Sequence, residues 1–494
     1  MQYDAVNKVL RIHTHFTVEL TDNQVPIAGQ TISKGQREIL ERRFLNFDTQ
    51  DNRYDEVVES GELLVITDPS YASTIQDLVD WKIERGIRTT VVSVDEAGST
   101  PEAIKAYIQD LYINQNLTYV LLVGDENAVP TMQTSSNNAC DHCYSYVDGD
   151  DHYADLFVGR FNGENEGEIR TMVDRTLEYE KNPNTSVDWM SKGIGLGSNE
   201  GPGDDGEYDY EHLNNIKIGL LEYSYTEVFE CYQGSNSADS PTPNEPSADL
   251  NGGPTTASIV DHIDNGISIL NYTGHGGHSG LSTGGYDIAA VNNQENNGKY
   301  PFLIAVACCV GDFQNDFGAG PCLGDAWVRA TDNNTGLPTG GIGGLFSSIL
   351  QSWAPPMEGQ DEMNLILTEQ AQYPTRHTIG GVSLMGMASM IDEYDGGGIS
   401  MADTWNIFGD PTVVLRTAMP AALTLNHAPF IPLGTTTLTV ACDVEGAMVA
   451  ASYDGPVLGV GYVENGLLEL PLENIPGPIT FKLTGTAFNH IPYQ

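Results

Sequence analysis

The sequence predicts an α/β protein built on a mainly parallel sheet flanked by helices, with a small β-sandwich at its C-terminal end. Three observations carry that expectation. Short apolar strands alternate with amphipathic helices from residue 61 onward. Two of the later strands run straight into polar, Gly-rich turns. After RTAMPAALTL the helix signals stop, and short alternating strands separated by Glu-Gly, Asp-Gly and Asn-Gly turns take over.

Residues 1–53 read as a separate tract. KVLRIHTHFTVEL alternates like a strand, and GQREILERRFLNFDTQDNR is charged and interrupted. GELLVITDP is then a buried strand, TIQDLVDWKIERG an amphipathic helix closed by Gly86, and RTTVVSV a strand. PEAIKAYIQDLYINQ is a helix and LTYVLLVGD the third strand. After a loop, EGEIRTMVDRTLEYEKNP is helical, GIGLGS a short strand and EYDYEHLNNIKIGLLEYS a helix. TEVFECY is a strand and TASIVDHIDNG a helix, with the Gly/Asp/Ser/Pro-rich stretch 233–254 between them read as a surface loop. SILNYTGHGG and YPFLIAVACCVGDF are the apolar strands that end in polar turns, and residues 418–494 form the sandwich.

Length and charge bound the function. The 494 residues suggest two to four domains at ~100–200 residues each. With 22 basic and 68 acidic residues the net charge is −46, which excludes nucleic acid and anionic membrane as partners, because phosphates need Lys and Arg. It favours divalent metals or substrates carrying Lys or Arg, and it equally suits a surface that keeps the protein soluble in salt. No apolar run reaches the ~18 residues of a membrane span. MQYDAVNKVLRIHTHF shows no signal peptide, so the chain is either not secreted or begins inside a longer precursor. Seven cysteines are too few for a disulfide scaffold, and the odd number leaves at least one thiol free.

Sites in open α/β sheets form where strands end. His275 in NYTGHGGH lies just past one strand, and Cys308 and Cys309 in AVACCVGDF end the next. Neighbouring parallel strands would bring a thiol within reach of a base, and Gly274, Gly276 and Gly277 let backbone N–H groups approach an oxyanion. The same residues also fit a histidine that caps a turn beside two buried cysteines. Side chains on a strand alternate faces, so one cysteine of the pair can point at His275 and the other packs.

LTYVLLVGD, GRF, NYTGHG, VAC..GDF, QSWA.PM.GQDEM, GGV..MGM and DTW..FGDP, in that order between about 54 and 417, together resemble the gingipain family of cysteine peptidases, and its arginine-specific members most. The resemblance implies a caspase-like catalytic domain in two parts, 54–180 and 181–417, followed by an immunoglobulin-like domain over 418–494. It implies an endopeptidase in which Cys308 is the nucleophile, His275 the catalytic histidine and Glu200 an acid beside it. Cys309 departs from the arginine-specific pattern and is assigned to packing. Asp209 matches the floor of the primary specificity pocket, where a carboxylate pairs with a substrate guanidinium. Trp353 matches the pocket wall, and the N–H of Gly276 helps hold the oxyanion.

The resemblance further implies calcium at Asp125, Asp151, the Tyr153 carbonyl and Asp155, with Glu207 in a second site, although Asp-rich loops are often only solvated. Residues 1–53 correspond to an inhibitory propeptide tail, with self-cleavage between Arg53 and Tyr54. The expected protein is secreted or cell-surface and bacterial. Its partners are Arg-bearing protein or peptide substrates and its own propeptide. Lysine specificity on the same fold, or a degenerate calcium-dependent binding module, are the alternatives. The single CxxC of Cys140 and Cys143 points to a disulfide or free thiols ahead of zinc.

Overall fold

The computed structural model describes residues 2–4, 9–11, 57–233, 253–371, 376–473, 475 and 477–494. The chain divides into a unit at Met1–Asp55 and a unit at Glu56–Gln494. In the first, Gln2–Asp4 pairs antiparallel with Val9–Arg11. The Arg53–Tyr54 cleavage site, most of the 1–53 tract and loop positions 234–252 lie outside the described residues.

The second unit is organised by a ten-stranded sheet. Its elements in chain order are β1 (Glu62–Thr67), α1 (Gln76–Glu84), β2 (Thr89–Ser93), α2 (Pro101–Asn114), β3 (Leu117–Val123), β4 (Phe157–Phe161) and α3 (Glu166–Lys181). Then follow β5 (Lys192–Gly197), α4 (Asp209–Tyr223), β6 (Glu227–Tyr232), α5 (Thr256–Asn265), β7 (Ile269–Thr273) and β8 (Phe302–Val306). The last are α6 (Leu323–Arg329), β9 (Gly343–Ser347), α7 (Ala354–Leu367), α8 (Ile379–Tyr394) and β10 (Trp405–Gly409). The strand order is β2-β1-β3-β4-β10-β9-β8-β7-β5-β6. Every neighbouring pair is parallel except β9 with β10, so two parallel blocks of opposite direction meet at one antiparallel seam. Residues 54–180 and 181–417 therefore share one sheet, and β10 of the second range returns to pair with β4 of the first.

Local chemistry sets the elements. β3, β7 and β8 are buried along their whole length because crossover helices cover both sheet faces, which is why their sequences are continuous apolar runs. Pro101 opens α2, and the Thr100 hydroxyl accepts from Ala103 N–H to cap it. α5 is capped by Thr255 and ends at Gly266, whose φ of +109° suits glycine. Beneath the sheet, buried Lys82 on α1 lies 2.6 Å from Glu180 of α3 and 2.8 Å from Asp410 just past β10, which ties three elements through one ammonium.

The C-terminal part is a sandwich of two three-stranded sheets. β11 (Leu425–His427), β12 (Thr437–Cys442) and β15 (Leu467–Pro471) form one, and β13 (Met448–Ser452), β14 (Val457–Tyr462) and β16 (Lys482–Thr486) the other. Alternate residues such as Leu438, Val440, Val449 and Ala451 make the shared core. The sandwich abuts the larger domain at Gly86, where an added Cβ would lie 2.9 Å from Ala450.

Candidate active site

Four adjacent strand ends deliver the site. β5, β7 and β8 pair in register through Gly197, Thr273 and Val306, and β9 continues the row. Ser198, His275, Cys308 and Gln351 thus leave the same sheet edge from neighbouring strands. Gly276 lets two of those loops touch: a Cβ there would sit 2.8 Å from Ala307 Cβ and 3.1 Å from the Cys308 carbonyl oxygen. The His275 loop is held by the Tyr272 hydroxyl, which donates to the His275 carbonyl at 2.5 Å.

His275 is half exposed, and its Nε2 faces Glu200 Oε2 at 3.0 Å. Its ring meets the Trp353 indole edge-on, with centroids 5.0 Å apart. Cys308 is partly buried, and its thiol donates to the Gln351 carbonyl at 3.6 Å. Burial pushes that thiol's pKa up, and the Gln351 contact offsets part of the rise. Cys309 is buried at φ +56°, with its N–H on the Ile349 carbonyl at 2.8 Å. Burial, with Cys308 and Asp312 adding, pushes its thiol up to about 12.

Asp209 is fully buried at the first turn of α4, where the helix N-terminus favours a negative charge. Trp353 Nε1–H donates to Asp209 Oδ1 at 2.8 Å, and the Ser198 hydroxyl donates to Oδ2. Among the described residues no lysine or arginine pairs with this carboxylate. Burial raises its pKa, and the Ser198 and Trp353 hydrogen bonds offset part of the rise. Histidine, pocket carboxylate and indole are thus linked through Trp353, with Ser198 also accepting from Glu200 N–H at 3.1 Å.

The carboxylates expected to hold calcium accept hydrogen bonds from nearby groups. Asp125 accepts from Ala128 N–H and the Asn127 amide, both at 2.9 Å. Asp151 accepts from Tyr153 N–H, and Asp155 accepts from Val147 and Asp148 N–H. Asp125, Asp151 and Asp155 do not come within 4.8 Å of one another as a ligand set among the described residues. Glu207 accepts from the Asn215 amide at 2.6 Å and lies 3.8 Å from His212 Nδ1. Asp125, Asp151, the Tyr153 carbonyl and Asp155 are the residues that would hold one calcium ion, with Glu207 assigned to a second site, and no step below runs through a calcium ion.

Sequence reasoning missed several supporting residues. Ser198 lies two positions before Glu200, and Gln351 two before Trp353; Gln351 Oε1 also accepts Ala307 N–H at 2.8 Å. His278 Nδ1 faces Asp312 Oδ2 at 2.9 Å, clamping the loop after β7 to the loop after β8. The second histidine of TGHGGH and the Asp of VGDF were the available signal.

Fold and site together define an α/β protein whose sheet edge carries a cysteine and a histidine on the loops of neighbouring strands, with a buried carboxylate linked to the histidine through an indole. A model of peptidase family C25 matches residues 57–416, and a model of that family's C-terminal ig-like domain matches 427–494. Gingipain R2 of Porphyromonas gingivalis is 34% identical over 504 residues, covering 99% of this chain and 65% of that protein. Gingipain R1 of the same bacterium is 35% identical over 501 residues, covering 99% of this chain and 48% of that protein. The chain therefore spans about two thirds or less of these relatives' length. The crystal structure of the Arg-specific cysteine proteinase gingipain R matches with a TM-score of 0.82 at 36% identity, covering 89% of this chain and 98% of that one. A complex of gingipain pro- and mature domains from P. gingivalis matches with a TM-score of 0.80 at 36% identity, over 88% of this chain and 98% of that one. The chain belongs to peptidase family C25 and has that family's caspase-like fold and immunoglobulin-like domain. No helix among the described residues is long and apolar enough to cross a membrane.

Proposed function

We propose that the chain is a cysteine endopeptidase that cleaves after arginine. The observation that carries the reading is Asp209: a fully buried carboxylate that no lysine or arginine pairs with among the described residues, hydrogen-bonded by the Trp353 indole that also meets the histidine. A substrate guanidinium would donate to both carboxylate oxygens and stack on Trp353. In the reaction His275 takes the Cys308 proton, and Sγ attacks the carbonyl carbon after the arginine. N–H groups of Gly276 and Cys308 receive the oxyanion. His275, oriented by Glu200, protonates the leaving amine, and water then hydrolyses the thioester. The gingipain R relatives support this assignment, and the half-exposed His275–Glu200 pair leaves room for substrate.

The same specificity makes Arg53–Tyr54 a self-processing site, releasing residues 1–53 as a propeptide. The Cys140–Cys143 disulfide supports a secreted or cell-surface location, because disulfides persist in oxidising compartments.

Turnover of matched Arg and Lys peptide amides tests the reading. Cys308→Ala abolishes cleavage and leaves the Arg53–Tyr54 bond intact. Asp209→Asn leaves the guanidinium without a counter-charge, a loss of about 3–5 kcal/mol, or 10²-fold or more in kcat/KM for Arg amides. Its Tm changes little, because a costly buried charge is removed while the amide oxygen still accepts from Trp353. Cleavage surviving Cys308→Ala, or Arg preference surviving Asp209→Asn, overturns the assignment.

A further inference from the structure

Outside the active site, Cys140 and Cys143 close a short disulfide loop with Cα atoms 5.3 Å apart. Both sulfurs and a carboxylate oxygen of Asp403 lie within 4.8 Å of one another, and all three residues are buried. Asp403 approaches from the segment just before β10. Its Oδ1 accepts from the Tyr146 hydroxyl at 2.7 Å and faces His152 Nδ1 at 2.8 Å, the kind of outer-shell support that orients a metal-bound carboxylate.

The cysteine loop is held in place by more than its disulfide. Arg160 grips Asp141 with two charge-assisted bonds, Nε to Oδ2 at 2.6 Å and Nη2 to Oδ1 at 2.7 Å. Asp141 N–H donates to Asn406 Oδ1 at 2.8 Å, and the Ser348 hydroxyl donates to the Ala139 carbonyl at 2.8 Å. Opening the S–S bond would therefore leave both sulfurs beside Asp403.

We propose that the reduced Cys140–Cys143 pair, together with Asp403, binds one zinc ion. Two thiolates at CxxC spacing suit a borderline-soft cation and exclude calcium or magnesium, which require oxygen. The fourth tetrahedral position falls to water. The step balances with an external dithiol: it becomes a cyclic disulfide and delivers two electrons and two protons to the cystine. Zinc then displaces the two thiol protons. The site therefore forms only where an external dithiol is supplied and stays closed where the disulfide persists. Cys143 is the way in, at 8% exposure against 0% for Cys140.

The test uses the full chain carrying Cys308→Ala, which removes the catalytic thiol as a competing ligand. The protein is reduced with a dithiol, freed of it under inert gas, dialysed against zinc, and examined by metal analysis and X-ray absorption. One zinc per chain with two sulfur neighbours at about 2.3 Å is expected. The unreduced protein should show no sulfur-bound zinc, and Asp403→Asn should weaken binding tenfold or more. Adding Cys143→Ser should leave a single sulfur neighbour; if that variant does not fold, the sulfur count in the Cys308→Ala protein decides alone. Zinc without sulfur neighbours, or equal loading before and after reduction, overturns the proposal.

Discussion

At the scale of single residues, the question is how Asp209 stays charged with no arginine or lysine beside it. Burial favours the neutral acid, yet recognition of a guanidinium needs the carboxylate. His212, one turn further along α4, supplies the missing charge. It is fully buried, with Nε2 2.9 Å from Gln360 Oε1 and Nδ1 3.3 Å from Asp361 Oδ2. Gln360 Oε1 also accepts from the Thr273 hydroxyl while the Gln360 amide donates to two carbonyls, so both imidazole nitrogens face acceptors. Burial alone would lower the His212 pKa, but Asp361, Gln360 and Glu207 outweigh it and hold it at about 9. A histidine raised from 6.5 to about 9 stabilises the fold fully below pH 6.5, and that stability is lost as pH rises through 9. Its positive charge also favours ionised Asp209. In His212→Gln the acid limb of kcat/KM for Arg amides should move to higher pH, with kcat on the plateau little changed. An unmoved limb would remove His212 from specificity. His275 and Cys308 were legible in the sequence because strand ends followed by glycine announce a site. His212 was not, because its three partners lie on segments scattered from 207 to 361.

At the scale of elements, the site depends on two loops touching across the β7–β8 edge. Gly276→Ala would force a methyl group against Ala307 and the Cys308 carbonyl, and the barrier there is backbone as well as side chain. The loops must part, and a displacement of about 1 Å at reacting groups can cost on the order of 100-fold in rate. We expect kcat to fall by about 10- to 100-fold and stability by about 1–3 kcal/mol, as overpacking usually costs. Wild-type kcat in this variant would show that the contact is slack. The alternating strands and helices up to β8 could be read, apart from β4 (Phe157–Phe161) in a stretch read as loop, because apolar runs and capping residues agree with the final fold. α7 and α8 are harder to read. Their packing uses glycine for close approach, since a Cβ at Gly386 would lie 2.7 Å from the Gly359 carbonyl, and glycine lowers helix propensity. The β9–β10 seam was equally hidden, because direction in a sheet follows from long connections and leaves no mark in a five-residue strand.

At the scale of the whole molecule, the net charge of −46 meets an interior that absorbs cations. Among the described residues seven basic side chains, Lys82, Arg85, Arg160, Arg175, Lys217, Arg376 and Arg416, are buried. Arg160 and Arg175 lie on carbonyl oxygens deep in the fold, and Lys82 and Arg85 share Glu180. The surface is therefore left with few cations to offset its carboxylates, and self-repulsion should destabilise the compact state. Salt screens exposed charges: the Debye length falls from about 30 Å at 0.01 M to about 3 Å at 1 M. The buried pairs are screened far less, so added salt should relieve repulsion without loosening the interior, and Tm should rise with ionic strength. The same screening should weaken attraction of Arg-rich substrates, so kcat/KM for them should fall with salt while kcat holds. Thermal melts and initial rates at matched sodium chloride concentrations read both effects. A Tm that falls with salt would mean that surface ion pairs, such as Arg170 with Asp77 and Asp174, outweigh the excess charge. That balance would be unusual, because exposed pairs contribute only about 0–1 kcal/mol each, and here acids outnumber the cations available to pair with them.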